Sequence, residues 1–116
     1  MSNDLHENIR RTIARVPFGH VATYGQIAAE SGVPGRARLV GQVLKNLPGD
    51  SDVPWHRIIN SQGLISFPKG SDAWRRQKGY LEEEGIVFRV DRVDLEKYRW
   101  KPSLDELLWG PGPDAQ

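Results

Sequence analysis

The apolar residues at the start of the chain recur with a helical period. Leu5, Ile9 and Ile13 fall on every fourth position, which predicts an amphipathic helix over residues 3–15. Pro17 predicts the end of this helix, because a proline in a helix interior removes a backbone hydrogen bond.

Two further helices are predicted, separated by a stretch rich in glycine and proline. Thr23 is followed three residues later by Gln26, the spacing of an N-terminal capping box, and predicts the start of the second helix. A third helix is predicted over about residues 35–46 from an apolar stripe at helical spacing. The stripe consists of Val40, Val43, Leu44 and Leu47. The opposite face of this helix is basic and polar, which fits a helix-turn-helix motif and an ordinary helical hairpin equally well.

The second half of the chain combines short apolar segments with one strongly charged helix. Ile58 and Ile59 are β-branched and predict a short strand. Residues 72–84 predict a helix with acidic residues at its C-terminal end, against the preference of the helix dipole. Segment 86–88 predicts another short strand, and residues 89–99 fit either a second strand or an irregular arm.

The length and the charge restrict the possible architectures and partners. A chain of 116 residues is the usual size of one domain, so we expect a single domain over residues 1–116, with 101–116 as a C-terminal arm. The elements predicted above make this domain mostly α-helical, with short β segments. The formal net charge is only +1, so binding to nucleic acid requires a local cluster of cations. Residues 31–49 contain no acidic side chain and include such a cluster.

The chain contains no cysteine, which restricts its chemistry. Disulfides, thiolate metal sites and thiol nucleophiles are excluded. The apolar runs are far shorter than the roughly 20 residues of a membrane span, and the N-terminal segment lacks the apolar core of a signal peptide. We therefore expect a soluble, cytoplasmic protein that does not associate with membranes.

Segment 53–60 carries the residues of greatest chemical interest. Pro54 restricts the backbone and is followed directly by Trp55 and His56, ahead of the predicted strand. A buried tryptophan beside a hydrogen-bonded core histidine would explain this pattern without any function. The three histidines of the chain are scattered along the sequence and indicate no metal cluster.

Three motifs in order add a resemblance to a known family. They are Thr23-Tyr24-Gly25, Arg36-Ala37-Arg38-Leu39-Val40-Gly41 and Pro54-Trp55-His56-Arg57-Ile58. Together they resemble the C-terminal DNA-binding domain of the O6-alkylguanine-DNA alkyltransferases, over about residues 16–85, which implies a winged-helix-like fold with a helix-turn-helix. The family's central motif is Pro-Cys-His-Arg, and the resemblance puts Trp55 at the reactive cysteine. That substitution is the mark of the alkyltransferase-like proteins.

The resemblance implies that the helix-turn-helix docks in the minor groove of DNA. The implied DNA-binding residues are Tyr24, Arg36, Ala37, Arg38, Gly41, Gln42 and Lys45. Tyr24 corresponds to the tyrosine that crowds the phosphate beside the target nucleotide and helps to turn the base outward. Arg38 corresponds to the arginine finger that fills the gap in the duplex. Small residues such as Ala37 and Gly41 permit close approach to the groove.

The resemblance also implies a pocket for the extruded base. Its implied residues are Tyr24, Trp55, His56, Ile58, Lys69 and Glu84. Trp55 would offer an apolar wall to the alkyl group, and Lys69 falls near the position that contacts the O6 side. We expect His56 and Glu84 to form a structural hydrogen-bonded pair, since there is no thiol to activate.

The predicted function is non-enzymatic recognition of O6-alkylguanine in DNA, with no cofactor or metal. Alkyl transfer requires a soft, charged thiolate, and an indole has only a neutral N–H donor. The resemblance implies nucleotide-excision repair proteins as further partners. We expect a monomer in the cytoplasm, associated with the nucleoid in a bacterium.

Two other functions compete with this hypothesis. A helix-turn-helix transcriptional regulator would read base edges in the major groove and would have no use for Trp55 and His56. A dealkylase that uses His56 and Glu84 would need a metal or an activated water.

Overall fold

A computed structural model describes residues 2–102, with side chains from residue 4 onward. Its helices are α1 (Ser2–Ala14), α2 (Tyr24–Glu30), α3 (Ala37–Lys45), α4 (Asp72–Glu83) and α5 (Leu95–Tyr98). Its strands are β1 (Ala22–Thr23), β2 (Ile58–Ile59), β3 (Phe88–Arg89) and β4 (Arg92–Val93), and a single 3₁₀ turn covers Trp55–Arg57. The prediction of a mostly helical fold with short strands is confirmed.

Helices α1, α2 and α3 enclose the larger of two apolar cores. Ile9 and Ile13 are fully buried, as the helical period predicts. The hydroxyl of Thr23 caps α2 by accepting from the backbone N–H of Gln26 at 3.0 Å. The other half of the predicted capping box is absent, because the Gln26 amide instead donates to the carbonyl oxygen of Trp100 at 2.6 Å. Trp100, which is only 4% exposed, thereby joins this core.

A parallel pairing of β1 with β2 connects the helical half to the segment that carries Trp55. Ala22 pairs with Ile58 and Thr23 pairs with Ile59. All four residues are buried. Since α2 begins directly after β1 and the 3₁₀ turn lies directly before β2, this pairing holds the start of α2 beside the turn.

The C-terminal part of the described chain forms a hairpin and a short helix over a second core. Strands β3 and β4 are antiparallel, and both residues of their connecting turn, Val90 and Asp91, have positive φ. The strand predicted at 86–88 is displaced toward the C-terminus, because the pairing with β4 begins at Phe88 and β3 covers Phe88–Arg89. The packing that we expect of Leu107, Leu108 and Trp109 lies outside the described residues.

Gly63 occupies a turn in which a side chain cannot be accommodated. Its φ is +80°, and an added Cβ would overlap the carbonyl oxygen of Val93. We expect Gly63→Ala to lower the free energy of unfolding by about 2 kcal/mol. Gly70→Ala is the matched control, since Gly70 has a φ of +84° with open space around it. Urea denaturation should show the smaller loss for Gly70→Ala, and equal losses would contradict the steric explanation.

Candidate nucleic-acid interface

A cavity of about 540 Å³ opens beside the 3₁₀ turn. Its lining residues come from α2, α3, the loop that follows α3, the turn, β2, the loop before α4, and α4 itself. They are Tyr24, Gly41, Leu44, Lys45, Leu47, Pro48, Gly49, Ser51, Trp55, Ile58, Phe67, Arg76 and Gln77. The volume lies within the range of about 300–1,000 Å³ that is usual for small-molecule pockets.

Trp55 forms an aromatic wall of this cavity. Its ring makes edge contacts with the rings of Phe67 and Tyr80, at centroid distances of 6.3 and 6.0 Å. The His56 ring lies 6.0 Å from the Trp55 ring and 5.5 Å from the Tyr80 ring, between centroids. Trp55 is half-buried, so part of the indole remains accessible from the cavity. An accessible aromatic ring of this kind is a platform on which a nucleobase can stack.

An ionic network behind Trp55 holds the turn in place. The Glu84 carboxylate accepts from His56 Nε2 at 2.6 Å and from the Arg57 guanidinium at 3.0 Å through both Nε and Nη2. It also accepts from the backbone N–H of Gly19 at 2.8 Å. The Glu84 side chain is only 7% exposed. The hydrogen bond expected between His56 and Glu84 is therefore present, and Arg57 extends it into a charged cluster.

These contacts lower the pKa of Glu84. Burial by itself raises the pKa of this carboxyl, but hydrogen bonds from Arg57, the Gly19 N–H and His56 outweigh the burial. A lowered pKa means that the network stabilises the ionised form of Glu84. The carboxylate is thus charged over the whole neutral range.

The lowered pKa of Glu84 predicts acid sensitivity. Its contribution to stability is present above the ordinary glutamate value of 4.5 and is lost as the pH falls through the lower folded value. We expect the free energy of unfolding to decrease as the pH falls below that range, and to decrease less in Glu84→Gln. Urea titrations at several pH values, with Glu83→Gln as the exposed control, check this. An unchanged pH slope in Glu84→Gln would contradict it.

The predicted DNA-binding residues lie mainly along one face of α3. Arg38, Gln42 and Lys45 are exposed, while Ala37 and Gly41 are half-buried. An added Cβ at Gly41 would meet no atom within 4 Å, so this face is open to close approach. Arg36 precedes the helix as its N-cap instead of lying inside it, which corrects the predicted boundary.

The predicted pocket residues separate into two groups. Tyr24, Trp55 and Ile58 line the cavity. His56, Lys69 and Glu84 are not among its lining residues, and a role for these three in binding the base stays a prediction. His56 and Glu84 are turned toward each other in the network behind Trp55. The Lys69 ammonium is held by Asp91 at 2.7 Å, outside the cavity.

Several lining residues were not predicted. The helical period predicts core positions for Leu44 and Leu47, but both are only half-buried and line the cavity. Phe67 is 40% exposed and closes the wall beside Trp55. Arg76 and Gln77 reach the cavity from α4. Phe67, an aromatic residue directly before Pro68 in a predicted loop, was a signal in the sequence that could have pointed to this wall.

Metal-ligand clusters and membrane-spanning helices are both absent from the described part of the chain. No group of three or more potential metal ligands occurs among residues 4–102. No described helix has the length and apolarity to cross a membrane.

The chain is similar in sequence to one family of DNA-binding domains and to named members of it. Residues 4–86 match the family described as "6-O-methylguanine DNA methyltransferase, DNA binding domain". A curated relative named DNA base-flipping protein, from Vibrio parahaemolyticus, is 53% identical over 78% of this chain and 89% of its own length. Alkyltransferase-like protein 1 of Schizosaccharomyces pombe is 40% identical over 86% of this chain and 97% of its own length.

The chain belongs to the alkyltransferase-like branch of this family. Solved structures agree with the assignment. S. pombe Atl1 in complex with damaged DNA containing O6-carboxymethylguanine has a TM-score of 0.78 at 40% identity, over 86% of this chain and 97% of that one. Mycobacterium tuberculosis OGT in complex with DNA has a TM-score of 0.62 at 32% identity, over 70% of this chain and 49% of that one. The helix-turn-helix assignment of α2 and α3 is thereby supported over the ordinary helical hairpin.

Proposed function

We propose that this alkyltransferase-like chain is a non-enzymatic sensor of O6-alkylguanine in double-stranded DNA. Helices α2 and α3 dock in the minor groove, and the modified base leaves the duplex for the cavity beside Trp55. The chain binds the base without altering it. The names of the relatives and the DNA complexes of similar proteins support this function.

The proposal rests on the fact that the exposed face of α3 and the wall of the cavity share residues. Gly41 and Lys45 belong to the proposed DNA-binding face and also line the cavity with Trp55. Tyr24, at the start of α2, lines it too. A base extruded from a duplex held on α3 therefore has a direct path to the indole.

Stacking of the base on Trp55 and insertion of Arg38 into the duplex can offset the free energy of base extrusion. Flipping a base out of a duplex costs on the order of a few kcal/mol, and less for a damaged pair. Stacking on an aromatic side chain returns about 1–3 kcal/mol per base. The planar guanidinium of Arg38 is suited to fill the gap, because it stacks on bases and stays charged.

The absence of a thiol makes the binding reversible in this proposal. The chain has no cysteine, and we assign Trp55 to the position of the family's alkyl-accepting cysteine. An indole N–H is a donor only and cannot take an alkyl group from O6. The lesion is therefore held intact, and the distorted complex is available to recruit nucleotide-excision repair proteins. We propose that the chain does this as a monomer in the cytoplasm, at the nucleoid in a bacterium.

A binding titration tests the function. Two duplexes of the same sequence, one with a single O6-methylguanine, are titrated at fixed salt, because affinity for phosphates depends strongly on salt. We expect tighter binding to the modified duplex, and mass spectrometry of the recovered DNA should show the methyl group still in place. Equal affinities would favour the helix-turn-helix regulator, and loss of the methyl group would favour a dealkylase.

A further inference from the structure

Helix α4 forms a wall of the cavity that the DNA-binding helices do not provide. Gln77 on this helix is buried, and its amide donates to the carbonyl oxygens of His56 and Ile58 at 3.0 and 2.8 Å. These bonds hold α4 against the turn that carries Trp55. The neighbouring Arg76 therefore has a fixed backbone position at the cavity, while its side chain is exposed.

The charge of the cavity wall is entirely positive. Lys45 and Arg76 are its two charged residues, and no carboxylate of the described chain lines it. Lys45 lies in the last turn of α3, on the exposed face that the proposed function assigns to the DNA duplex. Arg76 lies on a different helix and forms no ion pair with the described residues, so its donors are available to a ligand in the cavity.

The chemistry of the modified base matches such a donor. Guanine presents acceptors at N7 and O6, and an ether at O6 retains an acceptor there. A guanidinium carries donors in a planar fork that can engage two adjacent acceptors. Arginine to O6 and N7 is the commonest specific contact between proteins and guanine in DNA.

We propose that Arg76 is a specificity-determining residue whose guanidinium donates to N7 and O6 of the extruded O6-alkylguanine. This inference rests on the proposed function, because it requires the modified base to enter the cavity. It adds a polar contact to the apolar one made by Trp55. The base is then recognised by its acceptor edge as well as by stacking.

Arg75 offers a matched control on the same helix. It has the same charge and is exposed, but it lies next to Asp72 at 3.6 Å and does not line the cavity. Removing either arginine lowers the net charge equally. A difference between the two variants therefore reports a contact inside the cavity and not the general attraction to phosphates.

The test combines these variants with a change to one atom of the base. The wild-type chain, Arg76→Ala and Arg75→Ala are titrated against three duplexes, carrying guanine, O6-methylguanine or 7-deaza-O6-methylguanine at one position. We expect Arg76→Ala to weaken binding to O6-methylguanine about tenfold to a hundredfold relative to Arg75→Ala. We expect loss of N7 to weaken binding of the wild type, and to leave Arg76→Ala unaffected.

Two results would overturn the inference while leaving the proposed function intact. One is equal weakening by both variants on the O6-methylguanine duplex. The other is an Arg76→Ala variant that remains as sensitive to N7 as the wild type, which would assign Arg76 to a phosphate. A wild-type chain that binds all three duplexes equally would instead overturn the proposed function itself.

Discussion

Replacing Glu84 with alanine is expected to lower the free energy of unfolding by about 3–5 kcal/mol, the usual effect of removing one partner from a buried ion pair. The substitution leaves the Arg57 guanidinium without its carboxylate in a site where the arginine side chain is only 16% exposed. It also removes the acceptor of the Gly19 N–H and of His56. Urea denaturation followed by circular dichroism measures the change.

Glu83→Ala is the matched control for this prediction. Glu83 is the exposed last residue of α4, directly before Glu84, and its loss is expected to change stability by less than about 0.5 kcal/mol. A loss below about 1 kcal/mol in Glu84→Ala would contradict the assignment of Glu84 as the structural anchor of the turn, since that is the range of surface pairs.

Replacing Arg38 with alanine is expected to weaken binding to an O6-methylguanine duplex by roughly a hundredfold, or about 3 kcal/mol, which is the scale of base extrusion. The reason is that no side chain would then fill the gap left by the extruded base. Binding to the unmodified duplex should fall much less, because there Arg38 contributes only its charge. Fluorescence anisotropy with both duplexes at fixed salt measures the two affinities.

Arg36→Ala separates the finger from a simple phosphate contact. Arg36 has the same charge, is also exposed, and lies two residues away at the N-cap of α3. We expect its loss to weaken binding to both duplexes by a similar, smaller factor, as for one phosphate contact. If Arg38→Ala behaved in the same way, Arg38 would be a phosphate contact and not a finger.

The helices were predictable because local signals determine them. The period of Leu5, Ile9 and Ile13 located α1, and the side-chain oxygen of Thr23 placed the start of α2. The site required the resemblance as well, because neither the pattern around Trp55 nor the basic face of α3 distinguishes a DNA-binding protein from an ordinary helical domain. The positions of Trp55 and Arg38 within the motifs of a known family indicated DNA binding, which the composition of the chain does not indicate.

The walls of the cavity were not predictable because they depend on distant segments. The helical period correctly places Leu44 on the inner side of α3, but it cannot show whether another element covers that side. Phe67 and Arg76 reach the cavity from a loop and a helix, at positions ten and nineteen residues after the end of the turn. The role of Glu84 is equally non-local, because its partners Gly19 and Arg57 lie on separate segments.

A crystal structure of this chain with an O6-methylguanine duplex would show the position of the modified base and so test the proposed sensor function. We expect an intact O6-methylguanine outside the base stack, against the indole of Trp55, with the Arg38 side chain in the vacated position. A lesion that remains stacked in the duplex, or a methyl group transferred to the protein, would contradict it.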